Sequence, residues 1–173
     1  LIADSARLAR EARLEQKQIK DILEGLVRKA AAVKLGESYL AQKVLEEWKG
    51  RLLRRLEDYH RRHPLLPGIS RAELKAALPA ALNLREYDHF LARLQERGQI
   101  VLKGDLVSLE GFEPQPSGEE QAQLDRLGEI YATARFQPPA AKEALARAGI
   151  DGRQQEDYYR YLVNCGRLVK INE

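Results

Sequence analysis

Four side chains, Arg85, His89, Arg93 and Arg97, recur at four-residue steps, a spacing that lines residues along one side of a helix. Cations in such a row suit the phosphates of a nucleic-acid backbone, which are neutralised one contact at a time. A second basic cluster, Arg51, Arg54, Arg55, Arg61 and Arg62, lies upstream, and Lys34, Lys103 and Lys170 occupy nearly equivalent places in three short apolar runs. Each group also has a plain structural reading. Glu86, Asp88 and Glu96 can neutralise the arginine row, and Glu57 and Asp58 adjoin Arg54 and Arg55. Lysine on a short hairpin often serves only to blunt an edge strand. His60 and His63 have a spacing that can hold a metal, yet only Asp58 stands nearby to complete a ligand set, so no metal site is expected. Ser5, Ser38, Ser70, Ser108 and Ser117 read as caps, turns or loop residues, and no nucleophile elbow or zinc-protease motif occurs, so no catalytic residue is expected. Tyr158, Tyr159 and Tyr161 form an aromatic knot and Trp48 a packing anchor; both fit a core better than a base-stacking platform.

The elements that must carry these side chains repeat. Three similar segments are 68 positions apart, counted from Ala30 to Gly98 to Gly166, so that Leu26, Leu94 and Leu162 coincide, as do Val33, Val101 and Val169. A period of that length exceeds the roughly 20 to 50 residues of a solenoid unit and suits small tandem domains. In the middle copy, residues 42–63 read as a long amphipathic helix ending before Pro64. Ser70 with Glu73 caps a short helix that stops before Pro79, and Asn83 with Glu86 caps another that ends at Gly98. Residues 100–109 then form a hairpin turning at Lys103, Gly104 and Asp105. Three helices followed by a hairpin give a winged helix, whose third helix usually faces nucleic acid.

The predicted fold is therefore mainly α with small β-hairpins, as tandem winged-helix modules. The first covers residues 1–41, lacks its first helix and starts near Asp4; the second covers 42–112; the third covers 113–173, with its wing cut short after a strand over 167–172. Its last helix is expected from Asp151 to Cys165. Short connections predict a semi-rigid row, with residues 110–120 the one linker-like stretch.

Composition adds limits. The middle copy, residues 49–112, is the basic one, with 12 basic and 8 acidic groups in a chain of net charge +3. No window approaches the roughly 20 apolar residues of a membrane span, and no secretory leader is visible, so a cytoplasmic protein without a membrane partner is expected. The single Cys165 is expected to be a core thiol, and a chain that has no Met reads as a piece of a longer protein.

The segments DYHRRHPLLPGISRAELKAAL, GQIVLKGDLVSLEGFEPQPSGEE, RFQPPAAKEAL and YLVNCGRLVKINE resemble the C-terminal extension of the bacterial selenocysteine-specific elongation factor family, SelB, over about Tyr39 to Glu173. The resemblance implies a translation GTPase that delivers selenocysteinyl-tRNA, followed by four winged-helix modules, the last of which grips a hairpin in selenoprotein mRNA. By that comparison this chain holds modules one to three and neither the GTPase nor the fourth module. It also carries no phosphate-loop motif, so no cofactor is expected in this fragment, GTP and Mg belonging to the full-length factor. The implied role is a non-catalytic spacer or RNA-associated arm; the implied partners are the selenoprotein mRNA hairpin and the ribosome through the full-length factor, with selenocysteinyl-tRNA engaged indirectly. Two alternatives stand beside it, a DNA-binding winged-helix regulator and a protein-interaction scaffold. A DNA reader needs basic and amide side chains on every third helix, whereas the third copy offers Arg153, Gln154, Gln155 and Arg160 among Asp151, Glu156 and Asp157.

Overall fold

Apolar residues three and four apart over residues 42–62, and paired short apolar runs on either side of Gly36 and Gly104, dictate a fold of helices with small hairpins. A computed structural model describes residues 2–134, 137–152 and 154–169. The chain forms two compact units, one made of Leu1–Asp58 with Gly68–Gly111 and the other of Tyr59–Pro67 with Phe112–Glu173.

In the first unit β1 (Ile2–Asp4), α1 (Ser5–Ala12), α2 (Gln16–Arg28), β2 (Ala32–Leu35) and β3 (Ser38–Ala41) precede the long α3 (Gln42–Arg62), whose last residues count with the second unit. β4 (Ile69–Ser70), α4 (Arg71–Lys75), α5 (Leu84–Glu96), β5 (Ile100–Lys103) and β6 (Leu106–Leu109) follow. This is the mainly helical winged-helix arrangement, with one addition. Each hairpin gains a third antiparallel strand, in the orders β1-β3-β2 and β4-β6-β5. Ile2 pairs with Leu40 and Ile69 with Val107. Strands of two or three residues are too short to show an alternation in sequence. Gly68 leads into β4 so close to β6 that a Cβ there would lie 2.5 Å from the Val107 carbonyl oxygen, so only glycine fits.

Element boundaries recur at the 68-residue spacing: α2 matches α5, β2 matches β5 and β3 matches β6 end for end. The helix ends explain why. Ala30, Gly98 and Gly166 all take the left-handed conformation, at φ 54°, 61° and 71°. After each, the next amide donates to the leucine carbonyl of the preceding turn: Ala31 to Leu26, Gln99 to Leu94 and Arg167 to Leu162. This closes the terminal carbonyls in the way glycine usually permits. Ala30 bears a Cβ in a region that costs an L residue about 1–2 kcal/mol. Ala30→Gly should therefore raise stability by about 0.5–1 kcal/mol, the added freedom of glycine in the unfolded chain offsetting the rest. A denaturant titration reads the gain as a higher midpoint at unchanged slope.

Helix starts follow the expected chemistry. Asn83 Oδ1 accepts from the Glu86 amide at 2.9 Å while Glu86 Oε2 accepts from the Asn83 amide at 3.1 Å, and Ser70 Oγ accepts from the Glu73 amide at 3.2 Å. In the core of this unit Leu52, Leu56, Phe90, Leu91 and Val107 are fully buried, with the Trp48 ring edge-on to Phe90 at 6.3 Å.

The second unit contains α6 (Gly118–Thr133), α7 (Ala141–Ala148) and α8 (Gln155–Asn164). Leu65, Leu124, Leu127, Ala144, Leu145, Tyr158 and Leu162 pack into one core. Ser117 and Glu120 form a reciprocal cap at 3.3 and 2.7 Å. The last helix begins four residues later than expected, at Gln155, because Gly152 sits at φ 95° and breaks the helical path. Arg167 to Val169 form no strand, and the remainder of the expected strand, including Lys170, lies outside the described residues. Cys165 is exposed, not buried: it directly follows the last turn of α8, and its thiol is directed at the Tyr161 carbonyl, 2.7 Å away.

Candidate nucleic-acid interface

The arginine row on α5 drifts because four residues turn a helix through about 400°, so each step moves the side chain about 40° around the axis. Arg85 therefore starts on the solvent side and is exposed, whereas Arg93 is half-buried. The drift carries the row toward the first hairpin. His89 lies with its ring against the Gly36 turn, its Cδ2 2.7 Å from where a Cβ would stand. At φ 60° this turn favours glycine in any case. Glu86 does not neutralise the arginines: it is buried, and its Oε1 accepts a 2.6 Å hydrogen bond from Ser38 Oγ on β3. That bond holds α5 against the hairpin.

Three of the expected cations meet there. Lys34 on β2, with Arg93 and Arg97 from α5 and its cap, line one open groove of about 310 Å³ together with Gln42 at the start of α3. The floor is apolar, built from Val27, Ala30, Ala32 and Val33. The Lys34 ammonium stands 6.0 Å from the centroid of the Tyr39 ring, within reach of a cation–π contact. Glu46 approaches Arg97 at 3.9 Å, but it also pairs with Lys49 and accepts from Gln42 at 3.0 Å. The Lys49 ammonium, donating to it, holds the Glu46 carboxyl below the usual carboxylate range. Of the three groove cations only Arg97 has this carboxylate nearby, and among the described residues no acidic one lines the groove itself, so the groove is positive.

The other candidates are scattered. Arg55 bonds Glu73 on α4 at 2.8 Å instead of its sequence neighbours, and Arg71 lies 3.5 Å from Asp88. Arg54, Arg61 and Arg62 are exposed, and the Arg62 carbonyl accepts from Gln154 Nε2 at 2.6 Å. Lys103 is exposed at the end of β5. Sequence reasoning gave Gln42 no role and read Ser38 only as a cap, turn or loop residue. Nothing in their spacing marks them, since both act across elements far apart in the chain.

The histidine pair is structural. His60 is 6% exposed and stacks on Phe112 with ring centroids 3.5 Å apart, and burial pushes its pKa down to about 4. His63 Nδ1 lies 2.6 Å from Asp157 Oδ2. Among the described residues no group of three or more metal-ligating side chains converges. Tyr158 is buried and donates to Gln123 at 2.6 Å, while the Tyr159 hydroxyl bonds the Ala141 carbonyl at 2.9 Å and meets the Tyr131 hydroxyl at 2.7 Å. Burial raises the Tyr159 pKa, with the Tyr131 hydrogen bond adding to it. The knot is a core feature, with Tyr161 half-exposed at its edge.

Residues 53–109 match the family described as elongation factor SelB, winged helix. A protein of Desulfomicrobium baculatum named selenocysteine-specific elongation factor is 27% identical over 135 residues, covering 78% of this chain and 21% of that protein. The chain thus spans about a fifth of the length of the curated relative it matches. It is similar to the winged-helix region of SelB, and its similarity lies in a winged-helix family, not a catalytic one. No helix among the described residues is long and apolar enough to cross a membrane.

Proposed function

We propose that this chain is the non-catalytic arm of a selenocysteine-specific translation elongation factor, made of winged-helix modules over residues 1–41, 42–112 and 113–173 that separate a GTPase from an mRNA-hairpin-binding end. What carries the reading is the match of residues 53–109 to a SelB winged helix, joined to a groove that gathers Lys34, Arg93 and Arg97. Selenoprotein mRNA, the ribosome and, indirectly, selenocysteinyl-tRNA are the partners of the full-length factor in this reading, and the cytoplasm its location. A DNA-binding regulator is less well supported, because α8 begins with Glu156 and Asp157 in its first turn and offers no basic row comparable to that of α5.

An arm that associates with RNA through a few phosphate contacts binds weakly, and its affinity falls by about one power of salt concentration per contact. The 173-residue chain should therefore bind a selenoprotein mRNA hairpin weakly at low salt and lose that binding as salt rises. Adding a following hairpin-gripping module should raise affinity and selectivity together. Tight, hairpin-selective binding by this chain alone, measured by fluorescence anisotropy, would overturn the spacer assignment.

A further inference from the structure

We propose that the groove between the first hairpin and α5 is a binding site for an RNA backbone phosphodiester, with the Arg93 guanidinium as its central donor and Lys34 and Arg97 at its sides. This rests on the RNA-associated reading above and names where that contact falls. Arg93 Nε is buried and makes no hydrogen bond, although an unsatisfied donor of this kind costs about 1–3 kcal/mol. A guanidinium is built to give two parallel N–H bonds to a phosphate. Here Arg93 is half-buried on α5 and shares the groove with two further cations. Three like charges around one space repel one another unless an anion enters. Glu46 serves only the Arg97 side and is divided among three partners. Beyond Lys34 the neighbouring surface carries Arg28 with Glu24, so the positive excess stays centred on the groove.

The groove is open and partly apolar, with Val27 and Ala30 exposed along it, which suits a passing backbone better than an enclosed metabolite. Gln42 Nε2 already donates to Glu46, so Gln42 serves to hold that carboxylate in place and leaves the cations to take the phosphate. In this arrangement α5 does not read bases from its exposed side. Its buried flank and the neighbouring hairpin grip the backbone jointly.

The test uses the whole 173-residue chain, isotopically labelled. The arginine Nε–H resonances are followed while inorganic phosphate and, separately, a mixed-sequence RNA hairpin are added. The Arg93 Nε–H signal should shift saturably with RNA and far less with phosphate alone. Lys34→Glu, on an exposed strand position, should weaken RNA binding about tenfold at low salt and lower the slope of log affinity against log salt by about one. Arg93→Lys, which keeps the charge and removes the fork, should weaken binding with little change in slope. Arg54→Glu should do neither. An unmoved Arg93 signal, or wild-type affinity in both Lys34→Glu and Arg97→Glu, would overturn the site; if Arg61→Glu or Arg62→Glu abolishes binding instead, the arm still associates with RNA but elsewhere. Saturation by phosphate with no response to RNA also sinks the proposal. No RNA binding by the wild-type chain at low salt takes the RNA-associated reading down with it.

Discussion

Phe90→Ala lowers the stability of the unit that contains it by about 3–5 kcal/mol, the usual cost of emptying a buried aromatic site. Phe90 is 0% exposed and meets the edge of Trp48, so truncation removes both the buried area and the aromatic contact. The repeat supplies an internal control. Ile22 stands 68 positions before Phe90, at the same place on α2, yet is 51% exposed. Ile22→Ala should cost under about 1 kcal/mol, since little surface leaves contact with protein. Denaturant midpoints, with the near-ultraviolet circular dichroism of Trp48 as a second probe, separate the two. A Phe90→Ala loss no larger than that of Ile22→Ala would contradict the packing described for α3 and α5.

Acidification should weaken the unit that contains His60. Burial holds its folded-state pKa at about 4, below an ordinary value of 6.5. As pH falls, the unfolded chain takes up the proton first, so the folded state loses ground throughout the range in which only the unfolded histidine is charged. The stability associated with neutral His60 is therefore complete above about pH 6.5 and is lost as pH falls from there toward 4. At about 1.4 kcal/mol for each pH step between those two values, the loss reaches about 3 kcal/mol. Carboxylates titrate in part of the same range, so the measurement is a difference. His60→Phe keeps an aromatic ring on Phe112 and removes the titration, and its stability should fall less than wild type between pH 7.5 and pH 4.5. Parallel pH curves for the two proteins would show that His60 is not the group responsible.

Most of the local structure was legible because it is written in local chemistry. The cap pairs Asn83 with Glu86 and Ser117 with Glu120, and the stops at Gly98 and Gly166, each depend on residues within a few positions of one another. What escaped depends on contacts between distant segments. β1 and β4 exist only as partners of β3 and β6, and two or three residues carry no period of their own. Glu86 reads as a surface acid until Ser38 is placed beside it, and Arg55 reads as a partner of its neighbours until α4 brings up Glu73. Cys165 escaped for a different reason: a lone cysteine suggests burial, but its position just past the last turn of α8 leaves it in solvent. The candidate interface was half legible. Lys34, Arg93 and Arg97 could be singled out by charge, but their convergence follows from the 40° drift of the α5 row together with the packing of α5 on the first hairpin.

The chain has one tryptophan and one cysteine. Trp48 belongs to the first unit and the exposed Cys165 to the second. The native indole and a dye coupled to that thiol therefore make a donor–acceptor pair with one member in each unit, without any residue being introduced. The transfer efficiency then follows the distance between Trp48 and Cys165 as solution conditions change.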